Sequence, residues 1–485
     1  MDDAALVADK DLAPRLENWF WFDARESSYH IEDLSVEVPE WLRGSYYVNG
    51  PARFSRGDFR YRHWLDGDGM VCALKFSDEG VRFSNRFVRT VKLEDEERAG
   101  RVLFRTFGTS FAGDRLRRGL LLESPVNVSV YPWRDKLLAF GEQTPPVELD
   151  PDTLETVGEY DFGGRLNEVT PFAAHPKFDP ENGHLVNFGV GFSSRQPAIH
   201  IFEFDLSDNL VERRRIRLDH PFTNHDMAIS SNYSCFFLSP LMMDFERFQR
   251  NGQSVIQALD WKPELGSRLL IVPRPNRGSE REAFQVEVGA GYCLHMMNAF
   301  EQQNRLVVDV LRLERPIYQE YQPIPNLYQT KGRAWPVRFT VDLLGGKLAD
   351  QRELDFPFGA DFPAMVSENA GRPYDDFWML GISQIEGAGR KFFDLLVHGA
   401  WSDPNWDMYR APAGQYLGGE PVVVRNPEMK SDARLIVQRF DAVRDRVDFL
   451  LFDPYQVAAG PIGSIPLREK IHAGFHASFR SEVRV

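Results

Sequence analysis

Eleven histidines carry the widest chemical range in this chain. An imidazole can ligate a transition metal, or take and give a proton near neutral pH. Spacing selects none of these roles. No pair forms an H-E-x-x-H zinc helix. His472 and His476 are four apart, but Gly474 lies between them and the segment reads as loop. The three cysteines, Cys72, Cys235 and Cys293, are too scattered for a disulfide framework and form no C-x-x-C pair. They suit a reducing cytosol.

The elements that would hold such residues are strands. Residues 136–140 (KLLAF), 184–192 (HLVNFGVGF), 268–272 (RLLIV) and 305–311 (RLVVDVL) are short apolar runs of strand type. Two hairpins are legible. Residues 337–343 turn at Gly345-Gly346 and return through 348–354, and residues 435–440 turn near 443–445 and return through 447–452. Helical patterning is confined to 12–22, with its Trp19-Phe20-Trp21-Phe22 cluster, and 244–259. Antiparallel meanders of this kind predict an all-β sandwich, barrel or propeller. No repeat of fixed period chooses among them, and no Gly/Ser-rich or Pro-rich linker divides residues 1–485, so one domain is expected.

Lys and Arg number 57 against 71 Asp and Glu, a formal net charge of −14. Such a surface repels phosphate backbones, which argues against nucleic acid, and gains nothing from anionic lipid. Basic runs are short, as in Arg213-Arg214-Arg215, and read as a solvated strand edge. The opening MDDAALVADK has no apolar signal core, and no run of eighteen apolar residues exists, so a cytoplasmic protein is expected.

Sequence context does what spacing does not. Residues 41–51 (WLRGSYYVNGP) and 63–71 (HWLDGDGMV) begin an ordered series. It continues through 149–156 (LDPDTLET), Ala174-His175-Pro176, Asn224-His225-Asp226, 261–274 (WKPELGSRLLIVPR), 294–300 (LHMMNAF) and Gly474-Phe475-His476. In this order the series resembles the carotenoid cleavage oxygenases over nearly the whole chain. That resemblance implies a seven-bladed β-propeller with a capping dome of loops and short helices, and Fe(II) on its axis. Carried over residue by residue, the metal ligands are His175, His225, His295 and His476, each from a different blade. His184, His200, His220 and His472 are then not ligands.

Imidazole suits Fe(II), and four neutral nitrogens leave the ion its full charge with two octahedral positions for dioxygen and water. Each ligand ring carries a proton on its other nitrogen, which needs an acceptor. The family is similar in supplying carboxylates to three of the four, and the matching residues are Glu142, Asp361 and Glu420. Glutamate is usual at position 361. The shorter aspartate predicts a lengthened or water-bridged contact. Val48, Ala477, Phe479 and residues 430–433 (KSDA) also depart from the family pattern, without touching a ligand.

The implied reaction is cleavage of a conjugated C=C bond by dioxygen to two carbonyl products, on a carotenoid or apocarotenoid. Residues 85–90 (NRFVRT) and 99–109 (AGRVLFRTFGT) resemble the branch that cleaves stilbenoids (lignostilbene or resveratrol type), which is the alternative. A non-catalytic propeller used for binding, and an oxygen-independent isomerase, are further readings. The stilbenoid branch anchors the phenol with a Tyr and a Lys, and the matching positions here are placed at Phe83 and Pro125. An apolar pair would leave that hydroxyl unpaired at a cost of about 1–3 kcal/mol, which favours a polyene. Thr223, Leu294 and Phe475, beside ligands, are expected substrate contacts. Leu120, Leu121 and Leu122 are expected to dip into a membrane surface with Arg117 and Arg118 at the headgroups, giving reversible peripheral attachment.

Overall fold

The computed structural model describes residues 16–191, 193, 195–275, 282–319, 332–385 and 391–482. Among these, seven antiparallel sheets of four or five strands follow one another along the chain. In six of them the strands pair in sequence order, so each sheet is a meander, as the hairpins predict. The hairpin of Ala334–Asp342 with Lys347–Glu353 turns at Gly346, whose φ of 65° is open to glycine and whose amide bonds Asp342 O at 2.8 Å.

Burial falls from the first strand of a sheet to the last. Tyr292–Gln302, first in its sheet, is buried over nearly its full length, whereas the Leu210–Arg217 edge alternates half-buried and exposed. The first strands of successive sheets also touch one another, Tyr292–Gln302 against Gly359–Ala364 and Gly359–Ala364 against Gln415–Arg425. They therefore line the axis, and apolar clusters fill the space between neighbouring blades.

The first blade joins the two ends of the chain. Its order is Ser27–His30, Gly80–Phe87, Asp68–Ser77, Gly44–Arg53 and, innermost, Ala477–Ser481. Val48 pairs with Ala477 and Gly44 with Ser481. This closure leaves the ring no open edge and places the residue before Ala477, which is His476, on the axis.

Helix is scarcer than the patterning predicts. Within 12–22 the described part holds one 3₁₀ turn, Glu17–Trp19, with residues 12–15 outside the described segments; Trp19 donates to Ile471 O at 2.9 Å and stacks on Phe440. Residues 244–259 break at Gly252 (φ 68°) into a short helix, Phe245–Gln249, capped by Asp244, and a 3₁₀ turn, Ile256–Ala258. The helix Val91–Ala99 was not foreseen, although Thr90 caps its start and Gly100 (φ 64°) ends it. Its buried Lys92 reaches Asp68 at 2.7 Å and Glu96 at 3.1 Å, and Glu96 takes the amides of Leu103 and Phe104. That network fastens the loop that roofs the axis.

Candidate metal centre

Local backbone irregularity aims the site. His175 and His225 stand just before the first strands of their blades, Lys177–Phe178 and Ala228–Ile229. His295 lies inside Tyr292–Gln302, where the register slips between Cys293 and Met296. The strands carrying Asp361 and Glu420 slip at 361/364 and 418/422. Such bulges turn a side chain that regular pleating would send elsewhere. Each of the three carboxylates also adjoins a left-handed residue: Gln143 (φ 62°) after Glu142, Phe362 (φ 53°) after Asp361, and Gly419 (φ 71°) before Glu420. For Gln143 and Phe362 that conformation is strained, and the surrounding structure must hold it.

The four rings converge. One nitrogen from each of His175, His225, His295 and His476 lies within 4.8 Å of every other, a grouping able to hold a metal ion. Nδ1 of His295 donates to Asp361 Oδ1 at 2.6 Å, and Nδ1 of His476 to Glu420 Oε2 at 3.2 Å. Nδ1 of His225 is 2.7 Å from Glu142 Oε1. The Asp361 contact is thus the shortest, not the lengthened one its missing methylene predicts: the bulge and the turn at Phe362 carry the backbone inward. For His175 the nearest carboxylate is Asp226, at 3.9 Å, itself held by Lys177 at 2.8 Å and by the amides of Met227 and Met296. Neither Asp226 nor Lys177 was singled out from sequence, although both stand next to ligand motifs.

These contacts test whether a cation fits. With Nδ1 committed outward, Nε2 of a neutral ring carries a lone pair. Nε2 of His295 is buried and has no hydrogen-bond partner. Nε2 of His175 and Nε2 of His225 face each other at 2.9 Å. Four ring nitrogens gathered this closely, one of them buried without a partner, form a donor set that fits a cation. Burial, then the neighbouring histidines and Lys177, hold the pKa of His175 well below the ordinary value. Burial likewise lowers His476 against the pull of Glu420. At His295 burial also lowers, but the charge and hydrogen bond of Asp361 outweigh it and the pKa is raised.

The rings open onto two cavities. The smaller, about 90 Å³, is bounded by His225, His295 and His476, with Leu294 and Phe475 in its wall. The larger, about 400 Å³, adjoins it at His225, Glu142, Phe107, Leu122 and Tyr318, and is lined by Thr223, Val190, Met243, Phe248 and Leu259. All three expected substrate contacts therefore line one cavity or the other. Leu120, Leu121 and Leu122 line the larger one, and Leu120 is 48% exposed. Arg117 and Arg118 are not free for headgroups: Arg117 pairs with Glu123 and Glu159, and Arg118 with Glu168. Pro125 lines the smaller cavity. Phe83 does not belong to the site; it is buried in the first blade against Tyr29. Its placement by motif spacing missed because alternate strand residues face opposite ways. Sequence reading also passed over Glu123, Tyr292 and Tyr318, which line the cavities.

The remaining histidines stand apart from the four. His184 bonds Glu203 at 2.7 Å, and His472 stacks on Phe22.

Residues 22–481 match the protein family described as Retinal pigment epithelial membrane protein. Over 479 aligned residues the chain is 27% identical to the apocarotenoid-15,15'-oxygenase of Synechocystis sp., covering 94% of each. It is 28% identical over 473 residues to the isoeugenol monooxygenase of Pseudomonas putida, covering 93% of this chain and 95% of that protein. The crystal structure of cobalt-substituted Synechocystis apocarotenoid oxygenase aligns with a TM-score of 0.88 at 25% identity, over 97% of this chain and 99% of that one.

Proposed function

The chain belongs to the carotenoid cleavage oxygenase family, whose members depend on non-haem iron, and on that premise we propose that it splits a conjugated C=C bond of a carotenoid or apocarotenoid with dioxygen into two carbonyl products. It is a catalytic oxygenase, which removes the non-catalytic propeller from consideration. We assign the iron to His175, His225, His295 and His476. The observation that carries the reading is this cluster of four rings, three of which bound a small apolar cavity that adjoins one of about 400 Å³ at His225.

The chemistry suits such a lining. One C=C bond and one O=O bond break, two C=O bonds form, and neither proton nor outside reductant is consumed. A general acid or base beside the substrate is therefore not required. Bound iron supplies the electron exchange that lets dioxygen react with a closed-shell alkene. Asp361 and Glu420 hold two rings with their protons turned outward, and Glu142 lies 2.7 Å from the outward nitrogen of His225. Leu294, Phe475 and Phe362 wall the small cavity against water. Thr223, Val190 and Met243 bound the space for the rest of the substrate.

An apolar polyene partitions into lipid, so we also assign Leu120, Leu121 and Leu122 to transient contact with a membrane. Among the described residues no helix is long and apolar enough to cross one.

A phenolic alkene of stilbenoid type is the second reading. It is supported by Tyr292, Tyr318 and Glu123 in the cavity walls, which could meet a phenol, and by the departure of Phe83 from the site. Elemental analysis of purified protein, followed by aerobic assay on an apocarotenal and a stilbenoid with mass detection, separates the two. Iron near one per chain with two aldehydes from the apocarotenal supports the first; turnover of the stilbenoid alone shifts the assignment to the second. Failure to take up Fe(II) after anaerobic reconstitution would sink both.

A further inference from the structure

Of the four converging rings, His225, His295 and His476 bound the cavity of about 90 Å³, and only His225 touches the one of about 400 Å³. A double bond held against the metal centre therefore lies in the small cavity, with one arm reaching back into the large one. The two spaces also differ in access. Leu120, at 48%, and Val169, at 37%, are exposed in the wall of the large cavity, whereas every described residue lining the small one is buried or half-buried. The large cavity is the way in, and the small one is its inner end.

That inner end is walled by groups held firmly in place. The Phe475 ring packs against Trp64 at 4.5 Å and stacks on Phe362 at 6.2 Å, between centroids. Leu65 sits in the 3₁₀ turn Trp64–Asp66, whose Asp66 takes the Gly108 amide at 2.7 Å and the Thr109 hydroxyl at 2.6 Å. Leu65 O takes the Asn127 side-chain amide at 3.0 Å, and Val128 O takes the His476 backbone amide at 3.2 Å. Walls packed this way yield little to a larger guest. A cavity of about 150 Å³ holds one benzene ring, so one of about 90 Å³ holds about three or four carbon atoms. On the same scale the large cavity holds about sixteen.

We propose that the small cavity gauges the length of one substrate arm, so that the enzyme cleaves a C=C bond close to one end of its substrate. The leading arm, counted from the inner alkene carbon, is no longer than about four carbons. Leu65, Phe362 and Phe475 are the specificity-determining residues that set this limit. The inference rests on the alkene-cleaving function above and narrows both of its branches. A polyene is cut near a chain end and not at its middle. A phenolic alkene carries a short alkyl group on its far carbon in preference to a second ring. In either case the two carbonyl products are unequal.

The test uses iron-loaded enzyme, dioxygen and a series of 1-(4-hydroxyphenyl)alkenes whose far alkene carbon bears methyl, propyl or hexyl, with 4-hydroxystilbene and an apocarotenal alongside. The readouts are kcat/KM, the masses of both carbonyl products and the iron content. We expect methyl and propyl to be accepted alike, and kcat/KM to fall at least about 10-fold from methyl to hexyl and from methyl to 4-hydroxystilbene. Any cleavage of the apocarotenal should release a shorter product of at most about four carbons. Leu65→Ala deepens the inner end and should shrink the hexyl penalty to about 3-fold or less, mainly through KM. Phe475→Ala, with iron retained, should do the same and serves if Leu65→Ala does not fold. A penalty unmoved in both variants would take the limit away from this wall. Hexyl and methyl substrates turned over equally, or an apocarotenal cut to a shorter product of more than about six carbons, would overturn the gauge and leave alkene cleavage standing. If none of these compounds is cleaved, the alkene-cleaving reading fails and the gauge falls with it.

Discussion

Asp361 Oδ1 and His295 Nδ1 stand 2.6 Å apart, the closest of the carboxylate–histidine contacts around the four rings. The same Oδ1 takes the Phe362 amide at 2.8 Å, so the left-handed turn and the ring share one acceptor. Asp361→Asn should weaken iron binding about 10–100-fold, measured by competition with a chelator. Asp361→Glu, though closer to the usual family residue, should not improve it. Its extra methylene enters a fully buried position and should cost about 1–3 kcal/mol in urea unfolding. Wild-type affinity in Asp361→Asn would remove the orienting role from this residue.

Thr223 lines the large cavity and is not one of the four converging residues. Thr223→Trp should fill space the substrate needs and lower kcat/KM by about 100-fold, with iron content as in wild type. Loss of iron together with activity would instead mean that the backbone around His225 had shifted. Unchanged turnover would place the substrate elsewhere.

Leu120 is exposed at the rim of the same cavity, and Leu121 and Leu122 are half-buried beside it. The paired arginines leave attachment to these apolar side chains. The double variant Leu120→Glu with Leu121→Glu should lose co-sedimentation with neutral phosphatidylcholine vesicles. Turnover of vesicle-borne polyene should fall, while turnover of detergent-dispersed substrate holds. Equal sedimentation of variant and wild type would contradict membrane contact at this rim.

Strand runs and hairpins were legible because apolar alternation and Gly345-Gly346 act locally. The ring was not: its closure pairs Val48 with Ala477, more than four hundred positions away, and no fixed repeat announces the blades. The four histidines became visible only through the motifs around them, since their convergence depends on the closing of the ring and, at His295, on a strand bulge, neither of which spacing encodes. The tight Asp361 contact was hidden for the same reason: side-chain length was readable, but the backbone turn at Phe362 was not. The helix Val91–Ala99 escaped because its buried face is built from Lys92, Leu93 and Glu96, where an apolar stripe was expected.

His472 gives a prediction on acid stability that involves none of the four converging rings. It is buried, stacked on Phe22 at 4.0 Å, with Nε2 donating to Phe20 O at 3.3 Å. Its Nδ1 is buried without a hydrogen-bond partner, so a proton added there would have no acceptor. Burial chiefly, helped by Lys470 and Arg53 against the Phe20 bond, lowers its pKa to about 3. Burial lowers His63 to about 4 in the same way. Both values lie below the unfolded value of about 6.5, so between them the unfolded chain binds more protons and stability must rise with pH. The contribution is complete above about pH 6.5 and is lost as the pH falls below it, at up to about 1.4 kcal/mol per pH unit for each group. His472→Gln keeps a donor for Phe20 O but cannot titrate. Urea unfolding between pH 4.5 and 7 should show the variant's stability falling less steeply than wild type by nearly that slope. Comparing the two proteins at each pH cancels terms shared with iron binding and with the surface carboxylates. Parallel curves would mean that His472 accepts its proton inside the folded protein.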